Sequence, residues 1–168
     1  MEEIRENYLS WLRDAHAMEE QALTMMRGMM SRLENYPELS ARIRQHITET
    51  ERQEDALRKL LEDRATDTST VKDVMGKVAA SGQALSGLFA SDEVVKGGMA
   101  SYTFEHMEIA AYKVLIAAAR ELGDEPAIAI FQQILTEEQD MADWLFEHLD
   151  GTARRFLERS AADLTAGR

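Results

Sequence analysis

Apolar residues recur at three- and four-residue steps through four long stretches of this chain, and in each stretch the stripe is interrupted near its middle by a carboxylate. Helical spacing puts the interrupting side chain on the face meant for the core, because one residue step turns a side chain by about 100°. A buried carboxylate costs on the order of several kcal/mol unless a cation or hydrogen bonds compensate it. A fold that brings such faces together therefore asks for a metal.

The first stripe, from about residue 3 to 34, is Leu9, Leu12, Leu23, Met26, Met30 and Leu33. Pro37 permits a restart, and Leu39, Ile43, Leu57 and Leu60 predict a second helix from Pro37 to about Asp63. Residues 64–70, RATDTST, are polar and turn-like; Thr70 with Asp73 resembles a capping pair ahead of a short covering helix from Val71 to about Phe89. Ser91 is suited to cap a third long helix reaching about Leu122, with Val95, Tyr102, Ile109, Tyr112 and Ile116 inward and Gly123 placed to end it. Asp124 starts a fourth, with Phe131, Ile134, Leu135, Leu145 and Leu149 on one face. The tail after Gly151, with Phe156 and Leu157, reads as a separate, weaker fifth helix. The expected fold is all-α: one domain spanning residues 1–168, two helical hairpins joined by a long crossover, which is the ferritin-like four-helix arrangement.

Within those stripes the polar positions are specific. On the first helix the run Leu12, His16, Glu19, Leu23, Met26 keeps helical steps, so Glu19 shares the apolar face and Glu20 is turned away from it. On the second, Leu39, Ile43, His46, Glu49, Gln53, Ala56, Leu60 form one stripe with a polar middle and apolar ends. His46 and Glu49, at i and i+3, can reach one point beside the helix, where imidazole suits iron, manganese or zinc and carboxylate the harder ions. Glu105 and Glu108 repeat that spacing between Tyr102 and Tyr112, and Glu138 continues the line of the fourth helix while Glu137 borders it. A single Glu on a helix is most often solvated. Their joint occurrence on four helices is what a bridged two-cation site in a bundle core requires. Met25, Met26, Met29 and Met30 read as adaptable packing, Trp11 and Trp144 as covers of the bundle ends, and His148 as a surface or hydrogen-bonding residue.

Charge and composition narrow the partners. A net charge of -12 disfavours nucleic acid and anionic membrane surfaces and favours cations. The absence of Cys removes disulfides, thiolate metal sites and a cysteine nucleophile, so any metal must be held by carboxylate and imidazole. The start, MEEIRENYLS, lacks the basic and apolar regions of a signal peptide, and no apolar run approaches the roughly 18 residues of a membrane span; a soluble, cytoplasmic protein is expected. A homodimer through the first two helices is expected, since such bundles often leave one apolar stripe exposed.

The segments LRDAHAMEEQAL (12–23), HITETERQ (46–53), EHMEIAAY (105–112) and LTEEQDMADWL (135–145) resemble the YciF/YciE-like proteins, a stress-associated branch of the ferritin-like superfamily. The resemblance covers nearly the whole chain. It implies metal ligands at Glu19, His46, Glu49, Glu105, Glu108 and Glu138, with Gln53 beside them, and two metal ions per chain, iron first, manganese or zinc next. It also implies oxidation of Fe(II) by oxygen or peroxide in a stress response, Glu49 and a third-helix carboxylate bridging and Tyr102 or Tyr112 lining the pocket. The chain departs from the ferritin pattern: the second helix carries His-x-x-Glu where Glu-x-x-His is usual, the fourth has no paired His, and His16 stands where the family commonly has Tyr. Fewer imidazoles alter redox potential and open coordination positions, which keeps a stress-linked protein with a structural metal site as the alternative. A manganese peroxide-disproportionating enzyme is disfavoured on the same ground.

Overall fold

Four α-helices make up the computed structural model, which describes residues 1–64 and 93–162: α1 (Glu2–Met30), α2 (Pro37–Arg64), α3 (Glu93–Leu122) and α4 (Glu125–Ala161). Local chemistry sets their ends. After Met30 the chain makes a tight turn in which the Arg32 amide donates to Met29 O at 2.9 Å and the Tyr36 amide to Leu33 O at 3.0 Å. Pro37 then opens α2, where its missing N–H costs nothing. Gly123 ends α3 at φ +67°, a left-handed conformation that side chains with a Cβ resist. The Asp124 carboxylate caps α4 by accepting from the Ala127 amide at 3.3 Å, with Pro126 in the first turn.

The short turns make α1–α2 and α3–α4 antiparallel hairpins, and α1 packs on α3 while α2 meets α4 along the thinnest seam. Two apolar clusters fill the interior. One gathers Tyr8, Leu12, Leu57, Leu60, Tyr112, Leu115, Phe131 and Ile134; the other gathers Leu23, Met26, Leu33, Leu39, Ile43, Phe104, Met141 and Leu145. Each fully buried large side chain contributes about 1.5–3 kcal/mol. On every helix the residues between the clusters are polar and buried, so a polar belt crosses the bundle at mid-height.

Several expectations are corrected here. α4 runs unbroken through Gly151 to Ala161, so over its described residues the tail is a continuation of α4 rather than a separate fifth helix. A helical Gly costs only about 1 kcal/mol against Ala, and Phe156 beyond it packs on the second cluster. The buried stripe of α2 is His46, Thr50, Gln53, Leu57, with Thr50 in the place read for Glu49 and Ala56 only half-buried. On α3, Val95, Tyr102 and Ile109 are only half-buried. Trp11 is exposed, and among the described residues exposed large apolar side chains occur on α1, α3 and α4. The covering helix expected over Val71–Phe89 and the cap at Ser91 lie outside the described residues. Among the described residues no helix is long and apolar enough to cross a membrane.

Candidate metal centre

The belt forms because each helix interrupts its apolar stripe at the same level: Glu19 between Ala15 and Ala22 on α1, His46 between Ile43 and Thr50 on α2, Glu105 and Glu108 between Phe104 and Tyr112 on α3, and Glu138 between Ile134 and Met141 on α4. Nε2 of His46 lies 3.1 Å from Glu105 Oε2 and 3.3 Å from Glu138 Oε2. One ligand atom from each of these three lies within 4.8 Å of the others, a spacing that could hold a metal ion. Glu19 is 0% exposed, and Glu108 and Glu138 1% each. Both oxygens of Glu108, Oε1 of Glu138 and Oε2 of Glu19 have no hydrogen-bond partner among the described residues, and Oε2 of Glu138 has the long His46 contact alone. Oε1 of Glu19 accepts from the Tyr112 hydroxyl.

Crowded carboxylates out of water hold protons tightly. Burial pushes Glu19 and Glu108 well above the usual carboxylate range, and neighbouring carboxylates add to it, Glu138 for Glu19 and Glu19 for Glu108. Burial also drives Glu105 up to about 8, against the pull of His46. For His46 burial disfavours the charged ring, but the contacts to Glu105, Glu138 and Glu49 outweigh it and hold the imidazole well above its ordinary value. Burial first and Glu19 second raise Tyr112, which keeps its hydroxyl a donor. A cation would displace these protons, since metal ligands must be deprotonated.

Glu49 stands apart from the convergence. Its Oε2 lies 2.9 Å from His46 Nδ1, on the far side of the ring from Glu105 and Glu138, and its side chain is 20% exposed. Arg42 reaches the same oxygen at 3.2 Å and Gln45 the other at 2.7 Å. The His46 contact holds its carboxyl down to about 2. Three residues of helix fall about 60° short of a full turn, whereas Thr50 at i+4 overshoots by only about 40° and takes the inward place. Glu49 therefore meets the imidazole at Nδ1, while Glu105 and Glu138 meet it at Nε2.

Gln53 is inward, but its amide donates to Glu137 Oε2 at 2.8 Å, and Arg52 meets Glu137 Oε1 at 2.6 Å, making a clasp across the α2–α4 seam. Tyr102 lies against His106 and Phe146 rather than in the belt, so Tyr112 alone of the two lines it. His106 is exposed, and His148 stacks on Trp144 and contacts its carbonyl. His16 does not orient Glu19; it belongs with Glu20 and Glu54 to a second group that could hold an ion, at the α1–α2 seam. Sequence reading missed Thr50 and Glu54. Thr50 had a signal in its four-residue step from His46, while Glu54 has none, since its partner lies 38 residues away.

Residues 3–158 match the family described as a domain of unknown function, DUF892. Among solved structures, a protein from Xanthomonas campestris pv. campestris is 40% identical, with 94% of this chain and 99% of that chain covered and a TM-score of 0.77. The E. coli stress protein YciF has the same fold at 20% identity, with 92% and 99% covered and a TM-score of 0.71. The family match and the shared fold agree with the resemblance carried by the four motif segments, and the chain belongs to the DUF892 family and has the YciF fold.

Proposed function

We propose that the belt binds a pair of transition-metal ions, iron foremost, and that Glu19, His46, Glu105, Glu108 and Glu138 hold them. The observation that carries this reading is the set of orphaned oxygens, Oε2 of Glu19, both of Glu108 and Oε1 of Glu138, buried yet without a donor among the described residues. Buried polar atoms without partners are rare because each costs about 1–3 kcal/mol, and more when charged. Carboxylates with a single imidazole form an oxygen-rich donor set that suits Fe(II) and Mn(II), with zinc as a competitor. Glu49 and Tyr112 sit one shell outward, fixing His46 and Glu19.

A bound iron pair would supply one-electron chemistry with oxygen or peroxide. The chain's own part is to hold the ligands and keep water out, with an apolar cluster on either side of the belt. The stress role carried by YciF's name is the physiological setting we propose. One observation favours a second, quieter reading, a purely structural site: His46 is the sole imidazole in the belt. Anaerobic Fe(II) titration followed by admission of oxygen or peroxide separates them. Rapid Fe(III) formation, lost in Glu108→Gln, supports the redox reading; tight binding with oxidation no faster than in buffer supports the structural one.

A further inference from the structure

We propose that the α1–α2 seam carries a second, separate site for a single transition-metal dication, built by His16, Glu20 and Glu54. His16 and Glu20 stand at i and i+4 on α1, the spacing at which two side chains share a face, and α2 brings Glu54 opposite them. Nε2 of His16 lies 2.8 Å from Glu54 Oε1, and Nδ1 lies 3.8 Å from Glu20 Oε2. One ligand atom from each residue falls within 4.8 Å of the other two, so all three reach one ion.

The imidazole distinguishes this group from ordinary solvated carboxylates. His16 is only 9% exposed, and its Nδ1 is shut off from solvent with no hydrogen-bond partner among the described residues. The group that faces it is a carboxylate, too distant for a hydrogen bond and able only to accept when ionised. In the tautomer that donates Nε2–H to Glu54, the buried Nδ1 lone pair faces the Glu20 carboxylate. A cation satisfies both groups at once.

The donor set selects among cations. One imidazole with two carboxylates favours Fe(II), Mn(II), Co(II) or Zn(II) over magnesium and calcium. Side-chain exposures of 32% for Glu20 and 24% for Glu54 leave positions open to water, so the seam ion exchanges faster than one enclosed by the belt. The two sites stand back to back: Glu20 follows Glu19 on α1 and Glu54 follows Gln53 on α2, each neighbour turned by about 100°. The seam site stands whether or not the belt binds metal.

Co(II) titration followed by NMR of the histidine ring signals tests it, with His16 assigned from a His16→Gln variant. In Glu108→Gln/Glu138→Gln protein, where the belt is disabled, about one Co(II) per chain should still bind and broaden the His16 ring signals first. His16→Gln/Glu54→Gln protein should lose that ion and keep whatever the belt holds. Sharp His16 signals in the belt variant, or equal Co(II) uptake by the seam variant and the wild type, would overturn the proposal while leaving the belt reading intact. Undiminished uptake in the belt variant, with none in the seam variant, would sustain the seam site and remove the belt.

Discussion

The phenol of Tyr112, on α3, donates its hydrogen bond to Oε1 of Glu19, on α1, deep inside the bundle. One oxygen of Glu19 is thereby pinned while the other has no partner among the described residues. A carboxylate held by one edge is already oriented as a ligand, and such outward partners typically set about 10–100-fold of metal affinity. Tyr112→Phe should weaken Fe(II) binding by that factor in anaerobic titration, with helix content unchanged. Wild-type affinity in the variant would show that the bond serves only packing.

Adjacent carboxylates on α1 should behave differently. Glu19→Gln should abolish or strongly weaken the belt's ions, since Glu19 is wholly buried among the other ligands. Glu20→Gln should leave them as in wild type, because the neighbouring side chain turns away by about 100° toward the seam. Belt stoichiometry under anaerobic Fe(II) titration is the check, and exchanged roles would mean the α1 phase is wrong.

Glu49→Gln should tune the belt rather than empty it. The carboxylate contacts Nδ1 of His46 and makes no contact with Glu105 or Glu138, so its loss frees the ring without removing a ligand. Affinity should fall about 10–100-fold at unchanged stoichiometry. Complete loss of one ion in isothermal titration would put Glu49 among the ligands.

How much of this was legible depended on the helix. Glu19, Glu105, Glu108 and Glu138 could be read from periodicity because apolar neighbours on both sides fix the phase of their stripes. On α2 the sequence reading has Glu49 inward, but Thr50 also continues from His46 at a helical step, and its smaller angular offset takes the inward place. Arg42 and Gln45 hold the Glu49 carboxylate outward. The fifth helix was misread because Gly151 resembles a stop signal, whereas packing of Phe156 carries α4 past it. The pairing of His16 with Glu54 needs the hairpin to exist before the two can meet.

Metal-free protein should lose stability as pH rises. Glu105 binds its proton up to about 8 when folded against an ordinary 4.5, so the folded state is favoured below that window and the advantage disappears through it. Glu19, Glu108 and His46 shift in the same direction and act in the same sense. Glu49, held down to about 2, works oppositely but only below its ordinary value of 4.5. Melting of chelator-treated protein should therefore fall from about pH 5 to about pH 8, and added Fe(II) or Mn(II) should restore it most at the upper end. A melting temperature that rises over that range would contradict the buried, protonated belt.

Counting metal in the purified protein decides whether the belt holds an ion pair. Wild type and Glu108→Gln/Glu138→Gln would be prepared without a metal-binding tag, washed briefly with chelator to strip the exchangeable seam ion, and measured by elemental analysis. About two ions per wild-type chain, chiefly iron, and almost none in the variant are expected. Equal metal content in the two proteins, or a wild type that stays empty after reloading with Fe(II), would contradict an ion pair in the belt.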